Sequence, residues 1–245
     1  MCTHFVQLEL FKNLPIPRPR KASGAIVDSH MWPRYYGGFV RRPPERESGD
    51  EAVPPIEIPL GRWGLVSALT RPEKLADALK LMTVNARTDR VAKSFTFGNA
   101  WRRAQHCIVP AHAIYEPDWR PAKETGKPVP TRFERADGGP LGIAGLWDSW
   151  TDADGRQQLS YTIFTISAAD HPLFMHMHRP EDEKRMVVIL PEAQWDEWLA
   201  APMEDSMAFM NQYPAERLVA LAEPPSLAQA PAVRMSNVDQ RDLLP

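Results

Sequence analysis

The chain has 245 residues, 43% of them hydrophobic, with 29 basic and 31 acidic side chains and a net charge of -2, so one sizeable domain or two small ones fit and no bulk field favours nucleic acid. No run nears the ~18 apolar residues that a membrane span needs, and the N-terminus lacks the charged-then-apolar order of a signal peptide. Two distant cysteines, Cys2 and Cys107, make no disulfide framework, and a reducing, cytoplasmic setting is expected.

At the N-terminus, THFVQLEL alternates Val6, Leu8 and Leu10 with Gln7 and Glu9, which predicts a strand that anchors Cys2 to a sheet. Residues 12–60 are rich in Pro, Arg and Gly, and PIPRPR and RRPPERESGDEAVPPIEIP read as loop. Charge is uneven here: Lys12, Arg18, Arg20, Lys21, Arg34, Arg41 and Arg42 face Asp28 alone. A basic face on a near-neutral chain can hold phosphates, and solvated surface is the plain alternative.

RWGLV then begins an ordered core. RPEKLADALKLM predicts a helix, with Pro72 in its first turn and Leu75, Leu79 and Met82 on one stripe. HCIVPAHAIYE reads as a buried strand, and LGIAGLWDSW and LSYTIFTISAA as two more joined by the turn DADG. RMVVILP is a short apolar strand. PEAQWDEWLAA predicts a helix with Trp195, Trp198 and Leu199 on one face, and the Ala/Pro-rich tail, about 222–245, is expected to be irregular. Many strands with few helices predict an α+β fold in one domain over 1–245, not a doubly wound sheet.

Four stretches carry polar groups in or beside apolar runs. TVNAR offers Asn85 and Arg87, and AIYEPDW offers Glu116, a carboxylate after a buried strand that can serve as acid or base or pair with an arginine. HPLFMHMHRP offers His171, His176 and His178, whose spacing is not that of a zinc site, so no metal is expected. Cys2 is the fourth. Trimming of the initiator methionine leaves an α-amine and a thiol on one residue, whereas an unused cysteine at a frayed end is the plain alternative. In SFTFGNAWRRAQH, Phe95, Phe97 and Trp101 interleave with Arg102 and Arg103, a pattern of single-strand grooves that also arises from core aromatics and surface arginines. No Walker A, GxGxxG or G-x-S-x-G motif is present.

Taken in order, Cys2, PRY at 33–35, RWGLV at 62–66, VNAR at 84–87, SF…AWRR at 94–103, CIVPAHAIYE at 107–116, GIAGLWDSW at 142–150 and MH…RMVVIL at 177–190 resemble the SRAP family (SOS response-associated peptidase). The resemblance implies a compact fold with a curved, barrel-like mixed β core and short peripheral helices. It also implies covalent capture of abasic sites in single-stranded DNA by a monomer without cofactor, cytoplasmic and, in a bacterium, nucleoid-associated. Cys2, Asn85, Glu116 and His178 match the family's catalytic positions, and Arg87 its phosphate contact. Trp63, Arg102, Arg103 and Arg34 are the further expected DNA contacts. The chain departs from the common pattern at Thr3 and His4, in lacking a tryptophan pair after RWG, between Glu116 and Trp119, and in RPEDEK between His178 and Arg185.

An α-amine has a reference pKa of about 7.7–8.0, so part of it is neutral near pH 7 and can form a Schiff base with the aldehyde of an opened abasic sugar. The adjacent thiol can then add to the imine carbon and close a five-membered thiazolidine. Two other readings remain open at this point: an N-terminal-nucleophile cysteine peptidase or amidohydrolase, and a noncovalent single-stranded DNA-binding module.

Overall fold

The computed structural model describes residues 1–8, 30–152 and 154–222. Its strands are β1 (Phe5–Gln7), β2 (His30–Met31), β3 (Tyr36–Gly38), β4 (Leu60–Trp63), β5 (Asn85–Arg87), β6 (His106–Asp118), β7 (Val129–Arg135), β8 (Leu141–Thr151), β9 (Gln157–Ser167), β10 (Arg185–Val187), β11 (Ile189–Leu190) and β12 (Leu218–Ala222). The α-helices are short: α1 (Leu75–Ala78), α2 (Gly98–Arg102), α3 (Ala122–Thr125) and α4 (Trp195–Ala200).

The strands form one nearly closed, barrel-like mixed sheet, in the order β12-β7-β6-β8-β9-β4-β3. Closure comes just after β3, where Val40 exchanges both backbone hydrogen bonds with Ile108 of β6 at 2.8 and 2.9 Å. The fold is thus α+β, with β4 and β5 parallel to β9 and the other pairs antiparallel. The three long strands β6, β8 and β9 are the apolar runs legible in the sequence, and nearly every side chain on them is buried. Gly145 lets β8 approach β9: a Cβ there would lie 2.2 Å from the Thr162 carbonyl oxygen. Helix α4 caps the barrel through Trp198, fully buried, whose Nε1 donates to the Cys107 carbonyl at 2.9 Å.

Several local expectations change. β1 is buried on both faces, with Phe5 edge-on to Trp63 in the core and Val6 clustered with Ala113 and Tyr115, so its alternation does not mark one solvated side. Leu10 and residues 12–29 lie outside the described residues, as does the tail from 223. Residues 30–40, between the two stretches read as loop and with no strand predicted, supply β2, β3 and the barrel-closing bridge at Val40. The helix expected over 71–82 is a 3-10 turn, Pro72–Lys74, followed by the single turn α1. Leu75 and Leu79 are half-buried but Met82 is exposed, because among the described residues no element packs over that end of the stripe. Strand β7 and helix α2 were not anticipated. In VPTRFER only Thr131 and Phe133 are buried, and Thr131 is polar, which masks the strand's inner face.

Candidate active site

Two strand ends and one loop converge on the N-terminus. Pairing of β1 with β6 places Phe5 opposite Ile114, so residues 1–4 run toward Glu116 near the far end of β6. The backbone of His4 accepts from Tyr115 N–H at 3.0 Å, which fixes Cys2 beside that carboxylate. Asn85, at the start of β5, donates from Nδ2 to the Cys2 carbonyl at 2.7 Å. The loop before β10 brings His178: its backbone N–H donates to Pro117 O at 2.8 Å, and Met177 bridges Asp118.

The resulting cluster is tight. The N-terminal amine of Met1 lies 2.7 Å from His178 Nε2 and 3.2 Å from its Nδ1. His178 Nε2 is in turn 2.9 Å from Glu116 Oε2, an ion-pair distance that lacks hydrogen-bond alignment. Both Glu116 oxygens and Asn85 Oδ1 are buried without a well-aligned donor, so polar capacity is held in reserve here. Cys2 is fully buried, with its Sγ 3.5 Å from the His4 carbonyl. Burial pushes its thiol far above the ordinary range, and the adjacent Glu116 charge adds to the effect.

His178 sits at φ +62°, left-handed backbone that a residue with a Cβ adopts only when its surroundings impose it. That bend carries its ring back over Glu116.

The expected DNA contacts divide. Arg87, two residues beyond Asn85 on β5, is already engaged: its guanidinium meets Asp89 at 2.8 Å and Glu183 at 2.6 Å. Arg34 is at φ +75°, with its side chain on the Lys80 carbonyl. Arg102 and Arg103 are exposed at the end of α2. Among the described residues no hydrogen bond or ion pair joins Arg34, Arg102 or Arg103 to Cys2, Asn85, Glu116 or His178. Trp63 is fully buried, with its Nε1 on the Val84 carbonyl at 3.1 Å and its ring edge-on to Phe5, so its side chain packs in the core. Cys107 is the inert thiol expected, buried in β6 and pushed well above the ordinary range by that burial.

Sequence reasoning missed Lys184 and the ring stack at His4. Lys184 Nζ donates to the carbonyls of Met177 at 3.0 Å, His178 at 3.4 Å and Arg179 at 2.5 Å. Nothing in RPEDEK signals this, because the contact exists only once the loop closes. His4 lies between the faces of Trp32 and Tyr115, at 4.0 and 4.2 Å, and its Nε2 is 2.8 Å from His30 Nδ1. Burial and the His30 neighbour lower the His4 pKa to about 3, so the ring is neutral and packs as an aromatic.

A mixed β barrel gathers a thiol, a carboxylate, an imidazole and an amide where β1, β5 and β6 meet the loop before β10. The chain belongs to the SRAP family, SOS response associated peptidase, whose sequence profile matches residues 20–223. It is 29% identical over 138 residues to the abasic site processing protein YobE of Bacillus subtilis, 56% of each chain. It is 25% identical over 178 residues to the abasic site processing protein HMCES of Gallus gallus, covering 64% of this chain and 49% of that one. The chain thus spans about half the length of these curated relatives. A crystal structure of a protein from Bordetella bronchiseptica is 50% identical, with a TM-score of 0.78 over 91% of this chain and 100% of that one. A Bacteroides thetaiotaomicron structure, at 21% identity and TM-score 0.65, shares the fold.

Proposed function

We propose that this protein captures abasic sites in single-stranded DNA through Cys2 once Met1 has been removed. The observation that carries the reading is the position of the N-terminal amine, 2.7 Å from His178 Nε2, with the Cys2 thiol and the Glu116 carboxylate beside it. Loss of Met1 transfers the α-amine to Cys2 itself, one residue inward, and vacates the space over His178 for a sugar.

The chemistry follows from the groups present. His178 donates a proton to the ring oxygen of the abasic furanose as it opens to the aldehyde. The Cys2 amine adds to that carbonyl carbon, water leaves, and a Schiff base forms. Sulfur then adds to the imine carbon, the thiol proton passes by way of Glu116 to the nitrogen, and a thiazolidine closes. An open imine favours β-elimination and strand breakage, and ring closure removes it. Asn85 holds the Cys2 carbonyl and so orients both nucleophiles. The names of the YobE and HMCES relatives support an abasic-site substrate.

A cysteine peptidase needs a thiolate, which forms in electropositive, partly exposed surroundings. The Cys2 thiol is buried beside a carboxylate, the opposite environment, and this weighs against the peptidase reading.

The test is intact mass after incubation of the Met1-trimmed protein with an abasic oligonucleotide. Capture adds the oligonucleotide mass less one water. Absence of that species, with the trimmed protein folded, refutes the reading.

A further inference from the structure

Beyond the lesion pocket, Trp119 and Arg179 stand as a pair that no step above uses. Trp119 follows the last residue of β6, three positions after Glu116, and Arg179 directly follows His178. The backbone contacts between 117–118 and 177–178 lay these two segments side by side, so the pair borders the pocket. The Arg179 guanidinium carbon lies 5.4 Å from the centre of the half-buried Trp119 ring.

The other cations near the pocket are spoken for. Arg87 is held by Asp89 and Glu183, Arg120 by Asp118 at 2.6 Å, Arg185 by Glu183 at 2.7 Å, and Lys184 by three carbonyls. Arg179 is exposed and has no carboxylate partner among the described residues. It is a cation resting on an aromatic face, beside the groups that would hold an abasic sugar.

We infer that Trp119 and Arg179 form a subsite for a nucleotide flanking the lesion, with the base stacked on Trp119 and its phosphate paired with Arg179. The inference rests on the capture reading for the position of the lesion. An exposed cation–π contact is weaker than base–aromatic stacking, so an incoming base displaces the guanidinium from the ring and frees it for phosphate. Stacking is indifferent to base identity, which suits a protein that must accept any neighbour of a lost base.

The test is noncovalent binding, by fluorescence anisotropy, of a single strand bearing a tetrahydrofuran residue, an abasic analogue that cannot form an imine. Trp119→Ala should weaken binding about 5- to 20-fold, and Trp119→Phe should keep most of the affinity. Arg179→Gln should reduce the slope of log affinity against log salt by about 0.7, and Trp119→Ala should leave that slope in place. An oligonucleotide cut back to the lesion on the 5′ or the 3′ side should abolish the gap between wild type and Trp119→Ala. Unchanged affinity in both variants would overturn the subsite. So would a loss that persists on both truncated strands alongside a lowered thermal midpoint, since that marks a structural role. Capture is scored separately with a true abasic strand on a denaturing gel. Wild type that captures while the variants bind normally sinks the subsite alone. Wild type that forms no adduct while the variants lose affinity sinks the capture reading alone.

Discussion

Lys184 holds His178 in place: one ammonium caps the carbonyls of residues 177, 178 and 179, across the bend where His178 takes φ +62°. A left-handed residue with a Cβ costs about 1–3 kcal/mol and needs such support. Lys184→Met should therefore let the loop relax and the imidazole drift from Glu116. The expected effect is a fall of about tenfold in the rate of capture of an abasic strand, since 1.4 kcal/mol is a factor of ten. Combined with His178→Ala, it should add little. A full further tenfold loss in the double variant would show that Lys184 acts elsewhere.

The barrel was legible where strands are long and apolar, and obscure where pairing alone defines them. β6, β8 and β9 each carry more than ten residues and include a run rich in apolar, aromatic or β-branched side chains, enough to be read as strands. β2 and β3 have two or three residues each in a Pro/Arg-rich stretch, and their strand character comes from partners distant in sequence. Cys2, Asn85, Glu116 and His178 were singled out through the order of the motifs that resemble the family, since nothing local in the sequence says that they meet. Trp63 is named as a DNA contact by the resemblance alone, and no local sequence pattern tells which way its ring points. The side chain's direction, inward against Phe5, is decided by the sheet.

On the capture reading proposed above, Arg87 has to exchange partners before it meets a phosphate. Asp89 and Glu183 both hold it, and Asp89 is drawn down to a pKa of about 2, chiefly by its hydrogen bonds from Arg87. Glu183→Gln weakens one of these holds and removes a negative charge near the path of the phosphates. Its affinity for single strands should rise about two- to fivefold at low salt, and the gain should shrink as salt screens it. Arg87→Gln should weaken binding and flatten the salt dependence. A Glu183→Gln variant that binds more weakly than wild type would mean that the carboxylate orders Arg87 for DNA instead of competing with it.

Stability should fall on the acid side through His106. Its Nδ1 is 2.9 Å from the Trp198 carbonyl, its Nε2 is 2.9 Å from Ser206 Oγ, and its ring stacks on Trp198 at 3.9 Å. Burial lowers its pKa to about 4, against an ordinary value of 6.5. The unfolded chain therefore binds the proton first as pH falls. The stabilisation by neutral His106 is fully present above pH 6.5 and is lost progressively down to about pH 4, to a total of about 3 kcal/mol. Denaturant unfolding at several pH values reads this directly. His106→Gln cannot titrate and should lower stability at pH 7 but flatten its dependence between pH 6.5 and 4 by close to one proton. An unchanged slope would place the acid sensitivity in other groups, the lowered His4 among them.

The two cysteines make opposite predictions. Cys107 is enclosed in β6, its Sγ about where the close approach of Gly145 leaves no room, and it has no amine beside it. Cys107→Ala should cost about 1–2 kcal/mol of stability through lost packing and leave capture intact. Cys2→Ala keeps the α-amine after Met1 is trimmed, so an imine with the abasic aldehyde can still form. No sulfur is then present to close the ring. The adduct should be trapped by borohydride, vanish on heating without it, and proceed in part to strand cleavage. Denaturing gels with abasic single-stranded DNA, run after mass spectrometry has verified loss of Met1 in each protein, separate these outcomes. A heat-stable adduct of normal yield from Cys2→Ala would refute thiazolidine closure. An adduct lost in Cys107→Ala, with that variant still folded, would move the nucleophile from the N-terminus to the barrel wall.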